Sequence, residues 1–183
     1  CTRSCAFCSV KSGRPQSLDK FEPQRVTAAV EKMNLSHVVL TSVNRDDLED
    51  GGAQIFFETV DLLHQRMPGI DVEILTPDFE GVFSDVDTVM AAEPEVFSHN
   101  VETVKRLQPE IRPQASYGRS LSVLNYAAEN YPNAAIKSGI MVGLGEDDDE
   151  VYETLRDLRE AGCEIVTIGQ YLPPGRDYRE VHR

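Results

Sequence analysis

The chain alternates short β-branched apolar runs with longer stretches of helical period, and this alternation narrows its fold more than any other feature. From Pro23, apolar residues recur at Val26, Ala29, Val30 and Met33, a helical spacing with proline near its start, where a missing N–H does no harm. His37-Val38-Val39-Leu40-Thr41-Ser42 follows, and its length and branching predict a buried strand. A helix is expected over 53–66, stopped by Pro68-Gly69. The pattern then repeats, with strands at 71–75, 95–99, 135–144 and 164–172 and helices at 85–92, 119–130 and 147–161. Asp147, Asp148 and Asp149 open the last helix, where its dipole favours negative charge. Such alternation means parallel β/α units. Nothing interrupts it, so residues 1–183 are expected to form one α/β domain. Two architectures fit: a partial (β/α)6 TIM-like barrel with functional loops at the carboxyl ends of its strands, or a doubly wound open sheet. Periodicity does not separate them.

Charge and cysteine usage limit the function. Thirty-one acidic residues against eighteen basic give a net charge of −13, which opposes binding to a phosphate backbone. No apolar run is long enough to span a bilayer, so neither nucleic acid nor membrane is an expected partner. Three of the four cysteines crowd into Cys1-Thr2-Arg3-Ser4-Cys5-Ala6-Phe7-Cys8, a C-x3-C-x2-C loop. Clustered reduced thiols fit a reducing compartment, the cytoplasm or an organelle matrix. The chain opens on a cysteine without an initiator methionine and so reads as a fragment.

Three thiolates on one loop can hold three corners of a cubic iron–sulfur cluster and leave one iron open. A zinc knuckle would need a further pair, and Cys163 stands alone as a residue expected to be buried where it enters a strand. Asn100 and Glu102 follow a predicted strand at i, i+2, so in extended backbone both point one way. An amide beside a carboxylate suits a ribose diol, although turn formation would also place them there. Thr41 and Ser42 end another strand and would also serve as a capping pair. His99 abuts Asn100 and is expected to be packed or solvated rather than a ligand. The acidic run at 46–50 reads as a solvated loop.

The cysteine loop, with Phe7 before its third cysteine, resembles the signature of radical S-adenosylmethionine enzymes. Within that superfamily the chain is similar to the lipoyl synthases. The resemblance lies in Cys-Thr-Arg-x-Cys-x-Phe-Cys, Gly13-Arg14-Pro15, and the block Thr41-Ser42-Val43-Asn44-Arg45-Asp46-Asp47-Leu48 with Asp50-Gly51-Gly52. It continues in Thr76-Pro77-Asp78-Phe79, His99-Asn100-Val101-Glu102-Thr103, Lys137-Ser138-Gly139 and Ile168-Gly169-Gln170-Tyr171-Leu172. The resemblance implies a radical-enzyme barrel whose first strand is missing here, with Cys1, Cys5 and Cys8 ligating a four-iron, four-sulfur cluster. It also implies S-adenosylmethionine bound by Phe7 at the adenine, Thr41 and Ser42 at the amino group, and Asn100 and Glu102 at the ribose. Arg119 would clamp the methionine carboxylate, while the strand carrying Gly143 and the stretch Gln170, Tyr171 and Leu172 would flank the adenosine.

The implied activity is a sulfurtransferase reaction that inserts sulfur at carbons 6 and 8 of an octanoyl chain. That chain is carried on a lipoyl domain of a 2-oxoacid dehydrogenase complex or on the glycine-cleavage H protein. A ferredoxin- or flavodoxin-type reductant is implied, as is a second four-iron, four-sulfur cluster whose ligands lie outside these residues. The tail departs from the family, with Gly175 and Tyr178 where serine and histidine are usual. The competing readings are another radical enzyme, such as a biotin synthase-like sulfurtransferase, and a metal-binding structural module.

Overall fold

The computed structural model describes residues 1–182, and every expected strand and helix is present with ends shifted by a few residues. The strands are β1 (His37–Thr41), β2 (Asp71–Leu75), β3 (Val96–Ser98), β4 (Ala135–Val142) and β5 (Ile165–Gln170). The helices are α1 (Glu22–Met33), α2 (Ala53–Arg66), α3 (Phe83–Met90), a single turn α4 (Gln108–Ile111), α5 (Tyr117–Asn130) and α6 (Asp148–Glu160).

Local chemistry sets the ends. Helix α6 begins at a reciprocal capping box in which Asp147 accepts from the Glu150 N–H and the Glu150 side chain accepts from the Asp147 N–H. Helix α5 starts two residues before the expected position because the Ser116 hydroxyl caps it. Helix α3 also starts two residues early, where Phe83 stacks on Tyr126 of α5 with ring centroids 4.3 Å apart.

All five strands are parallel, and their spatial order is their chain order. Right-handed crossovers that always step to the next strand leave every helix on one face. The contacts agree, with α1 touching α2, α2 touching α3, α3 touching α5 and α5 touching α6. This is a curved half-barrel, and the doubly wound alternative, which needs a reversal of strand order, is excluded.

The core lies between sheet and helices. Val72, Ile74, Phe97, Ile136 and Ile140 meet Val60 and Leu63 of α2, Val86 and Val89 of α3, and Leu124 and Ala127 of α5. The opposite, concave face is more polar. There the Lys137 ammonium donates to both oxygens of the buried Glu73 carboxylate at 2.9 and 2.8 Å. Strand β1 departs from expectation, since it is half-exposed and Val39 is 48% exposed. It pairs on one side only, with β2, and its odd residues face the open concavity. Cys163 is likewise half-buried, because it precedes the equally exposed edge strand β5.

Candidate functional site

The cysteine loop lies across the carboxyl ends of the strands. The Cys8 N–H donates to the Cys5 carbonyl, and the Gly13 N–H closes the loop onto the Cys1 carbonyl at 3.0 Å. Gly13 does this at φ 135, where only glycine is comfortable. All three loop thiols are half-buried and free. Among the described residues, no three histidine, cysteine or acidic groups gather tightly enough for a single metal ion. Burial raises the Cys5 thiol pKa, while the guanidinium of Arg112 acts to lower it.

The loop is fastened from below by Arg3. Its Nε and Nη2 donate to the two oxygens of Asp46, at 2.9 and 2.8 Å. Its Nη1 and Nη2 donate to the two oxygens of Asp78, at 2.9 and 2.6 Å. Thr2 adds a hydroxyl bond to Asp46 at 2.7 Å and an N–H bond to the Asn44 carbonyl. The acidic run is largely exposed, as a solvated loop is expected to be, yet it is tied down. Asp46 holds the cysteine loop, Asp47 pairs with Arg45, and Asp50 accepts from the N–H groups of Gly52 and Gln54 at the start of α2.

Beside the loop lies a cavity of about 120 Å³ lined by Thr41, Ser42, Asn100 and Glu102 together with His99 and Arg112. Four of the expected residues thus meet. The backbone that brings Asn100 and Glu102 together is not extended. Glu102 adopts φ 67, donates its N–H to Gly139 and accepts from Met141, so a bridge to β4 replaces the strand geometry. Both side chains line the cavity, and burial raises the Glu102 pKa against the pull of Arg112 and Asn100. Gly139 makes room for this pair, because a Cβ there would sit 2.7 Å from the Asn100 Oδ1. His99 is buried, as the packed alternative expected. Its Nδ1–H donates to the Thr76 carbonyl and its Nε2 pairs with the Ser120 hydroxyl, both at 2.9 Å, which puts the proton of the neutral ring on Nδ1.

Other expected residues lie elsewhere. Arg119 opens α5 but faces Asp78 at 3.5 Å, outside the cavity lining. Gly143 adopts φ 98 and gives its N–H to Glu146, and the Gln170 amide donates to the Val142 and Tyr171 carbonyls. Tyr171 is buried with its hydroxyl donating to the Arg179 carbonyl, whereas Leu172 is 75% exposed. Phe7 is half-buried against the core.

Arg112 was not anticipated. It caps α4, donates to the Asn100 and Val101 carbonyls, and is 7% exposed with its Nε unpartnered. Only an arginine next to Pro113 marked it in the sequence. A larger cavity of about 360 Å³ lies behind β1 against α1 and α2, and Thr41 and Ser42 line it as well.

A family model described as the radical SAM superfamily matches residues 1–158. Over all 183 residues the chain is 56% identical to a lipoyl synthase of Rubrobacter xylanophilus and covers 57% of that protein. It is 52% identical over 181 residues to a lipoyl synthase of Flavobacterium johnsoniae, covering 99% of this chain and 62% of that one. The chain therefore spans about three fifths of the length of these curated relatives. A solved methylornithine synthase superposes with a TM-score of 0.74 over 98% of this chain and 54% of the other, at 17% identity, a likeness of fold alone.

Proposed function

We propose, for a chain that belongs to the radical SAM superfamily, that residues 1–183 are the core domain of a lipoyl synthase. The observation that supports this reading is a loop of three free thiols, one of which, Cys5, feels the charges of Arg112 and Glu102 in a cavity where an amide, a carboxyl and an arginine converge. The likeness to lipoyl synthases over the whole chain selects the reaction.

The donor set fits the implied groups. Half-buried thiols on one glycine-closed loop suit a four-iron, four-sulfur cluster, so Cys1, Cys5 and Cys8 would hold it. The orphaned Nε of Arg112 and the Asn100–Glu102 pair suit a ligand carrying both a carboxylate and a diol, as S-adenosylmethionine does. When bound, the cluster and S-adenosylmethionine supply the reductive cleavage and hydrogen-atom abstraction of the superfamily.

The protein's own residues then bind and orient. Asn100 and Glu102 hold the ribose hydroxyls, and Thr41 and Ser42 accept from the amino group. Because Arg119 is engaged by Asp78, the carboxylate falls to Arg112, a fixed donor inside the cavity. Phe7, Gly143 and Gln170 to Leu172 flank the adenosine. The substrate is an octanoyl chain on a lipoyl carrier domain, with a ferredoxin- or flavodoxin-type donor. The second cluster's ligands lie outside these residues. No described helix is long and apolar enough to cross a membrane, and a cytoplasmic location is part of the proposal.

The test is anaerobic reconstitution with iron and sulfide. About four irons per chain, and a reduced paramagnetic resonance spectrum that shifts when S-adenosylmethionine is added, would support the reading. Zinc held in preference to iron, or a spectrum indifferent to the cosubstrate, would overturn it.

A further inference from the structure

Three of the sequence blocks that resemble lipoyl synthases meet at one buried point away from the reacting groups. Arg3 comes from the cysteine loop, Asp46 from the loop after β1 and Asp78 from the loop after β2. Arg3 is 4% exposed and Asp78 is fully buried. We propose that Arg3 is the positioning residue of the cysteine loop. Forked onto both carboxylates, it fixes Cys1 and Cys5 against the ends of β1 and β2 before a cluster arrives. The inference rests on reading the loop thiols as cluster ligands.

Placement and geometry carry it. Arg3 lies two residues from Cys1 and two from Cys5, so its guanidinium sets where both thiols emerge. It uses four N–H bonds on two carboxylates approaching along different edges, which only a planar fork can do. The loop's other side-chain attachments are single bonds, the shortest from the Thr2 hydroxyl, which donates to the same Asp46 carboxylate at 2.7 Å. Ser4 N–H reaches Gln114 at 3.2 Å at the surface, and the Cys1 ammonium reaches the Lys11 carbonyl at 3.3 Å. One cation against two carboxylates, of which only Asp78 is fully buried, leaves a net negative charge, and Arg119 at 3.5 Å from Asp78 supplies the second cation. This gives Arg119 a task as counter-charge to the latch.

The experiment compares the chain with Arg3→Lys, which keeps the charge and loses the fork, and with Asp46→Asn, at the more exposed carboxylate. In the metal-free protein, iodoacetamide alkylation of each cysteine is followed by peptide mass spectrometry, with Cys163 as internal reference. Freeing the loop should speed modification of Cys1 and Cys5 several-fold relative to Cys163, while circular dichroism melting stays near that of the parent chain. Iron uptake on reconstitution should slow in the same variants. Unchanged ratios would overturn the proposal, and so would equal acceleration of all four thiols, which signals general loosening. A parent chain that takes up no iron would instead sink the proposed function, and the alkylation ratios would still decide the latch.

Discussion

His99 offers the sharpest quantitative test of how the site is sealed. Its imidazole is buried between the Thr76 carbonyl and the Ser120 hydroxyl, each 2.9 Å from a ring nitrogen. Burial pushes its pKa down to about 4, assisted by the nearby charges of Arg112 and Arg3 and opposed by the Thr76 bond and Asp78. In the unfolded chain the group titrates near 6.5. Between those values the unfolded state holds the extra proton, so stability rises with pH across this interval. The contribution is fully present above about 6.5 and is lost as pH falls towards 4. At about 1.4 kcal/mol per pH unit, the full loss is on the order of 3 kcal/mol. Glu102, whose pKa is raised, acts with the opposite sign, so the difference between the parent chain and His99→Gln isolates the histidine. Urea unfolding of both proteins, from about pH 7 down to about pH 4.5, measures that difference. The parent should lose stability steeply across this range, and the glutamine variant should lose much less. Parallel slopes would refute the sealed, neutral imidazole.

Gly139→Ala places a methyl group against the Asn100 carboxamide and the Thr167 hydroxyl, both of which can swing away. The fold should survive, while S-adenosylmethionine binding to the reconstituted chain, measured by calorimetry, should weaken by about 1–3 kcal/mol, the worth of hydrogen bonds to a charged or polar ligand. Lys137→Met strands the Glu73 carboxylate in the concave face and should destabilise the chain by about 3 kcal/mol, whereas adding Glu73→Leu should restore most of that loss in denaturant melts. Gly162→Ala combines φ 87 with a Cβ only 2.4 Å from the Ala128 Cβ, and thermal melting should report a loss of about 2–4 kcal/mol.

How much of this was legible depended on whether a signal was local. Strand β2 and helix α2 match their predicted limits because Pro68-Gly69 and the apolar period are nearby in sequence. Helices α3 and α5 begin early because Phe83 and Tyr126 stack across 43 residues and Ser116 caps at a distance no period reveals. Strand β1 looked buried because Val38, Val39 and Leu40 read as a core run, yet burial depends on how many neighbours the sheet supplies. The choice between barrel and open sheet lay in strand order, which no local pattern carries. Within the site, Thr41, Ser42, Asn100 and Glu102 converge because they lie at or just past the ends of β1 and β3, and strand ends share one rim in a parallel half-barrel.

Side-chain pairing between loops decided the remainder. Arg119 was the arginine nearest a helix start, and that made it the natural clamp for a carboxylate. A buried carboxylate was already there. Asp78 is satisfied first by the Arg3 fork and then by Arg119, so the arginine left facing the cavity is Arg112, held by two carbonyls with its Nε free. The fully buried Asp78 carboxylate would be expensive unpaired, so it engages Arg3 and Arg119 before any ligand can. On this logic the roles of three arginines follow from the positions of two aspartates. Asp46 and Asp78 draw Arg3 beneath the cysteine loop and Asp78 holds Arg119, so of the three only Arg112, with no aspartate of its own, lines the cavity.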